Sequence, residues 1–265
     1  MPSLDLPTVK ALVEAAHEAN MLVVAHAHRP TDALQVTAAG VDVLAHAPSE
    51  PLDEQQVEVI ARSGVAVVAT LSVSDGFPAP DAPMPLLTRP RLAARLGQAW
   101  TEVLHSQARR WMPPQMPSWE AARTNVAALH EAGVPILAGT DAPNPGTVHG
   151  ASLHRELQHL TEAGLEPTRA LHAATGAVAD VFGLPDRGRV RPGARADLLL
   201  VQGRPDERIT DTQEITAVWK AGREQEIDGY VGSPDETDGI EALASQTRRV
   251  VEEMSKKFPG FASPE

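Results

Sequence analysis

Three apolar runs of strand length end in groups that can ligate a metal or move a proton. Leu22-Val-Val-Ala-His26-Ala-His28 and Val41-Asp-Val-Leu-Ala-His46 finish in histidine. Val134 to Ala138 breaks at Gly139 into Thr140-Asp141, and a Pro/Gly-rich loop runs on to His149. Side chains at the C-terminal ends of parallel strands, facing an open loop, are where α/β folds keep their chemistry. His26 and His28 are two apart on a strand, so both leave one face. Ala25 and Ala27 turn to the other, where small residues let a helix pack close. Imidazole and carboxylate suit zinc or another divalent first-row metal, and three protein ligands plus a water make the open, catalytic arrangement. Such a metal activates a water toward a carbonyl, with Asp141 taking the proton. Spacing alone leaves two readings open: one metal site from His26, His46 and Asp141, or separate structural histidines.

Composition bounds the setting. The 265 residues suit one large domain or one and a half ordinary ones. An apolar share of 42% is enough for a core, and no window approaches the unbroken apolar length of a membrane span. A net charge of -12 argues against nucleic acid or an anionic membrane as partner. With no cysteine, disulfides and thiolate metal sites are excluded, which fits a reducing compartment. Met1-Pro-Ser-Leu-Asp5 has neither the basic nor the apolar region of a signal peptide. The expectation is a soluble cytoplasmic protein.

The elements that must position these residues alternate. Helices are expected over Leu6–Asn20 with Asp5 as cap, Asp32–Ala39, Asp53–Ser63, Ser118–Ala132, Gly150–Ala163 and Pro167–Phe182. Strands are expected over Leu22–His28, Val41–His46, Val65–Val73 and Val134–Ala138. The β-branched run VAVVATLSV suits a strand buried on both faces of a parallel sheet. The order is α-β-α-β-α-β-insert-α-β-α, a parallel sheet with helical crossovers. The insert, residues 74–117, is proline-rich at both ends with a helix expected over Leu92–Trp111. It is either a long connection or a lid carrying Trp100 and Trp111 over a pocket. After Gly183 short antiparallel strands are expected within Gly188–Val201 and at Ile215–Lys220. The polar tail from Ser233 offers a capping pattern and a helical stripe of Ile240, Leu243, Val250, Val251 and Met254. This divides the chain into an α/β unit over 1–183, a small β unit over 184–232 and a helical tail over 233–265.

Five segments carry a family resemblance: VVAHAHRPTDALQVTAAGVDVLAHA, AVVATLS, VPILAGTDAP, HRELQHLTEAGLEPTRALHAAT and GRVRPGARADLLLV…VWKAGR. In that order, from Leu4 to about Arg223, they closely resemble the C-terminal part of the amidohydrolase superfamily. The branch they look most like is that of imidazolonepropionase-like and Xaa-Pro dipeptidase-like enzymes. The resemblance implies the C-terminal half of a (β/α)8 (TIM) barrel of metal-dependent hydrolase type, plus a small partial β-sandwich. It implies hydrolysis of a C–N bond in a cyclic amide, amidine or dipeptide-like substrate. By position His26 matches the family's metal histidine on strand five and His46 the one on strand six. Asp141 matches the strand-eight aspartate, which binds metal and handles the catalytic proton. His28 and His149 lie where the family contacts substrate. His17, His105, His130, His154, His159 and His172 fall on expected helices, as solvent-facing or structural groups.

The family's His-x-His pair on strand one and its lysine on strand four have no counterpart here. The ligands present hold one ion at most, with zinc as the expected metal. Four strand-helix units also leave a lumen face and two sheet edges to be covered. The cover is expected from the insert and tail, from a second copy of the chain, or from an N-terminal partner. The rival expectation is a catalytically inactive half-barrel serving as an interaction or assembly module, or a truncated gene product.

Overall fold

A computed structural model describes residues 4–75, 84–108, 118–144 and 146–227, and positions 245, 249 and 256. The helix expected in the tail, those three positions apart, and the Trp111 end of the insert lie outside the described residues. The first part of the chain forms α1 (Leu6–Glu18), β1 (Val24–His26), α2 (Pro30–Ala38), β2 (Val43–Ala45), α3 (Glu54–Ser63), β3 (Ala66–Val68) and α4 (Leu71–Ser74). Then come α5 (Pro90–Ala93), α6 (Gln98–Ala108), α7 (Trp119–Glu131), β4 (Ile136–Leu137), α8 (Ala151–Glu162), α9 (Pro167–Ala173) and α10 (Gly176–Val181). The last elements are β5 (Leu198–Val201), a 3-10 turn at Ile209–Gln213, β6 (Ile215–Lys220) and β7 (Arg223–Gln225). Among the described residues no helix is long and apolar enough to cross a membrane.

Local signals start the helices. Asp5 caps α1 by accepting from the Thr8 amide at 2.8 Å. Asp53 and Gln56 form a reciprocal capping box on α3, which ends at Gly64 in a left-handed turn. Ser118 caps α7 by accepting from the Ala121 amide.

β1 to β4 form one sheet in sequence order, every pair parallel. Alternation along the strands sends Ala25, Leu44, Val67 and Ile136 to one face. There they meet Val13, Ile60, Val126, Leu129, Leu157 and Leu160 of the surrounding helices in the main core. Ala27 is buried in the same core, as the small-residue pattern of β1 predicts. Val43, Ala66 and Leu137 go to the opposite face, which the sequence pattern leaves bare. The structure covers part of it: Ala177, Val178 and Val181 of α10, with Phe182 and Val68, pack against these three residues. The single helix expected over Pro167–Phe182 breaks at Thr175, in a non-helical conformation. α9 stays in the outer layer while α10 turns onto the second face. Val24 on β1 escapes this cover and is 47% exposed.

A second departure concerns β3. It ends at Val68, Thr70 has φ +48°, and Leu71–Ser74 is helical, where the β-branched run predicts strand to Val73. Gly139, beyond β4, is required by close approach: a Cβ there would overlap Val68 Cγ1. In the insert, Leu86, Leu92 and Leu104 with half-buried Trp100 build a small core that includes Val148, on the loop from Asp141 to His149. β5, β6 and β7 form a separate antiparallel sheet, on whose β5 strand Leu198, Leu199 and Leu200 are all exposed.

Candidate metal centre

The strand ends bring three histidines and a carboxylate together. His26, His28 and His46 each offer a ring nitrogen, all within 4.8 Å of one another. His46 Nε2 lies 2.9 Å from His26 Nδ1 and 3.7 Å from Asp141 Oδ2. The His28 and His46 rings stack at 4.8 Å and 12°, and His26 stands edge-on to both. Two ligands sharing one tetrahedral zinc at about 2.0–2.1 Å sit about 3.3 Å apart. The two separations at His46 Nε2 fall on either side of that value, and among the described residues the group whose ligand atoms all lie close enough together is that of the three histidines.

The backbone is bent to achieve this. Strict alternation would send His46 to the helix side with Leu44, but φ +81° at His46 turns its ring toward His26. Asp141 and Thr70 both have φ +48°. Among the described residues five non-glycine positions have positive φ, and three of them are these strand ends. Such conformations cost on the order of 1–3 kcal/mol each and cluster at functional sites. The β-branched Thr70 is the hardest to explain otherwise.

Electrostatics favour ligation. Burial, reinforced by His28 and His26, pushes His46 down to about 3, and burial with the neighbouring His26 also lowers His28. Both are neutral at pH 7 and have a lone pair to give. Burial raises the Asp141 carboxyl, with His26 pulling against it. Asn144 Nδ2 donates to Asp141 Oδ2 at 2.7 Å and to the Asp141 carbonyl at 2.8 Å.

His26, His46 and Asp141, grouped by the sequence pattern, do meet. His28, which the resemblance assigns to substrate, sits in the same cluster. His149 is exposed, and among the described residues no hydrogen bond or ion pair ties its ring to the cluster. Three supporting residues have no sequence signal of their own. Thr70 Oγ1 is 2.8 Å from His46 Nδ1. Asn125 on α7 donates to the Pro48 and Glu50 carbonyls and accepts from the Leu52 amide, fixing the loop after His46. Glu156 on α8 accepts from the Leu71 and Ser72 amides just beyond Thr70.

Known proteins share this arrangement of sequence. The profile of the amidohydrolase family matches residues 2–225. The chain belongs to that family. The chain is 28% identical over 221 residues to ochratoxinase of Aspergillus niger, covering 81% of the chain and 40% of the relative. The crystal structure of A. niger ochratoxinase superposes with TM-score 0.59 at 27% identity, covering 86% of the chain and 46% of the other. A crystal structure of an Xaa-Pro dipeptidase shares the fold, with TM-score 0.64 at 23% identity, over 85% of the chain and 50% of the other. Imidazolonepropionase of Paracoccus denitrificans is 41% identical over 86 residues, 32% of the chain and 21% of the relative. The chain thus spans half or less of the length of these relatives.

Proposed function

We propose that this chain hydrolyses a C–N bond in a small cyclic amide, amidine or dipeptide-like molecule at a single divalent-metal site, with zinc as the ion. The observation that carries the reading is the meeting of His26, His46 and Asp141 at the ends of three strands. In this reading His26 and His46 hold the cation as neutral imidazoles, with Asp141 as the third ligand. A divalent cation there supplies Lewis acidity and a water of lowered pKa. Asp141, its carboxyl raised by burial, accepts the proton of the attacking water and returns it to the leaving nitrogen. His28 polarises or positions the substrate carbonyl, and exposed His149 meets the substrate from the loop. An imidazolone and an Xaa-Pro dipeptide, in the names of two relatives, belong to this substrate class.

The same proposal treats residues 1–183 as the C-terminal half of a (β/α)8 barrel, with 184–232 part of a β-sandwich and 233–265 a helical tail. Leu12, Leu22 and Val24, exposed along α1 and the β1 edge, then face the remainder of the barrel, a further segment or a second copy.

Metal analysis of the purified chain and of His26→Ala and His46→Ala, with hydrolysis of cyclic amides and Xaa-Pro dipeptides before and after chelation, tests the function. Up to one zinc per chain is expected, lost in both variants together with activity. Equal, near-zero metal in all three proteins would sink the site.

A further inference from the structure

We propose that Glu156 is a positioning residue for this centre, acting through Thr70 on the ring of His46; the inference rests on the reading of His46 as a ligand. Thr70 precedes α4, where a threonine hydroxyl ordinarily accepts from a backbone amide of the first turn. Here it makes no such bond. Its Oγ1 lies 2.8 Å from His46 Nδ1 instead.

Fully buried Glu156 takes over the capping. Its Oε1 accepts from the Leu71 amide at 3.0 Å, and its Oε2 from the Ser72 amide at 2.7 Å and the Ser72 hydroxyl at 2.8 Å. All three partners donate, so the carboxylate satisfies amides that the short helix leaves unpaired. The neighbouring side chain secures the other end of α4. Arg155 donates to the Asp75 carbonyl at 3.2 Å and pairs with the Asp75 carboxylate, which His159 also meets at 2.9 Å. α8 therefore grips α4 at both ends and holds Thr70 in its left-handed conformation with the hydroxyl free for His46. In this proposal Thr70 Oγ1 accepts from His46 Nδ1–H, which leaves the Nε2 lone pair of His46 to accept from His26 Nδ1–H in the metal-free protein and to face a cation when one is bound. Ligand-orienting partners of this kind change metal affinity about 10–100-fold when removed.

The test compares the full chain with Glu156→Gln, Thr70→Val, Thr70→Ser and Ser72→Ala. Glu156→Gln keeps the volume but turns an NH2 toward a backbone N–H, so one cap is lost. Long-range 1H–15N spectra of the metal-free proteins read the His46 tautomer, and competition titrations read zinc affinity. The native chain and Thr70→Ser should hold the Nδ1–H tautomer. Thr70→Val and Glu156→Gln should give mixed tautomers and bind zinc about tenfold or more weakly. A folded Glu156→Gln protein with the native tautomer and zinc affinity overturns the proposal. If Glu156→Gln does not fold, Ser72→Ala decides: a smaller loss in the same direction supports the role of Glu156, and no change overturns it. A native chain that binds no zinc removes the metal reading, while the tautomer comparison still decides the positioning one.

Discussion

The two middle strands of the parallel sheet hold their site residues differently from the two flanking ones. β2 and β3 lead into His46 and Thr70, both buried, and a polar side chain from a distant helix fixes the loop beyond each. β1 and β4 lead into His26 and Asp141, which are exposed; the Asp141 side chain is 43% exposed against 9% for His46. The loop beyond β4 is steadied by Asn144, three residues away and facing solvent. The difference teaches how a site combines fixed geometry with adaptability. His46 is held by the interior, and the flanking groups, more exposed, have room to adjust.

The sharpest way to break this contrast is at the two asparagines. Asn125→Ala leaves the buried Pro48 carbonyl without a partner and frees the half-buried Leu52 amide and the Glu50 carbonyl, and should cost about 2–3 kcal/mol in urea unfolding. Next in size, Gly139→Ala should cost about 1–3 kcal/mol by overpacking against Val68, and Val68→Ala in the same chain should recover part of that loss. Acid should follow. His46, at about 3, and His154, at about 4, are neutral when folded and titrate near 6.5 when unfolded. As pH falls from about 6.5 toward 4 the unfolded chain gains protons that the folded chain refuses. Stability of the metal-free protein should therefore drop, approaching about 1.4 kcal/mol per pH unit for each histidine. Urea midpoints at three pH values, with His154→Leu to remove one share, check the slope. Smallest, Asn144→Ala should cost under about 1 kcal/mol, because water replaces its exposed hydrogen bonds. Equal losses for Asn125→Ala and Asn144→Ala would erase the distinction between fixed and adaptable halves.

Much of the site was legible from the sequence because its groups end apolar runs, and the period of two put His26 and His28 on one face. The Asp5 cap was legible because the Thr8 amide it accepts from lies within one turn, whereas the reciprocal box of Asp53 and Gln56 came only with the structure. What escaped depends on contacts far along the chain. Nothing near Val65–Val73 announces that the strand stops early, since the Glu156 carboxylate that caps α4 lies 85 residues from Leu71. The fold-back of α10 escaped because the apolar spacing of Pro167–Phe182 continues across the break at Thr175. Thr70 escaped for a plainer reason: a threonine in a β-branched run carries no mark of the histidine it will meet.

The three leucines of β5 carry a practical consequence. Successive strand residues point to opposite sides, so Leu198, Leu199 and Leu200 grease both surfaces of the little sheet at its outermost ribbon. Water wets only one surface of most such ribbons comfortably, and this one offers it neither. Among the described residues no strand pairs with its outer edge, and that row of amides and carbonyls invites another strand to zip on. Handled by itself, the chain should self-associate through this ribbon, and Leu199→Lys should keep concentrated samples clear.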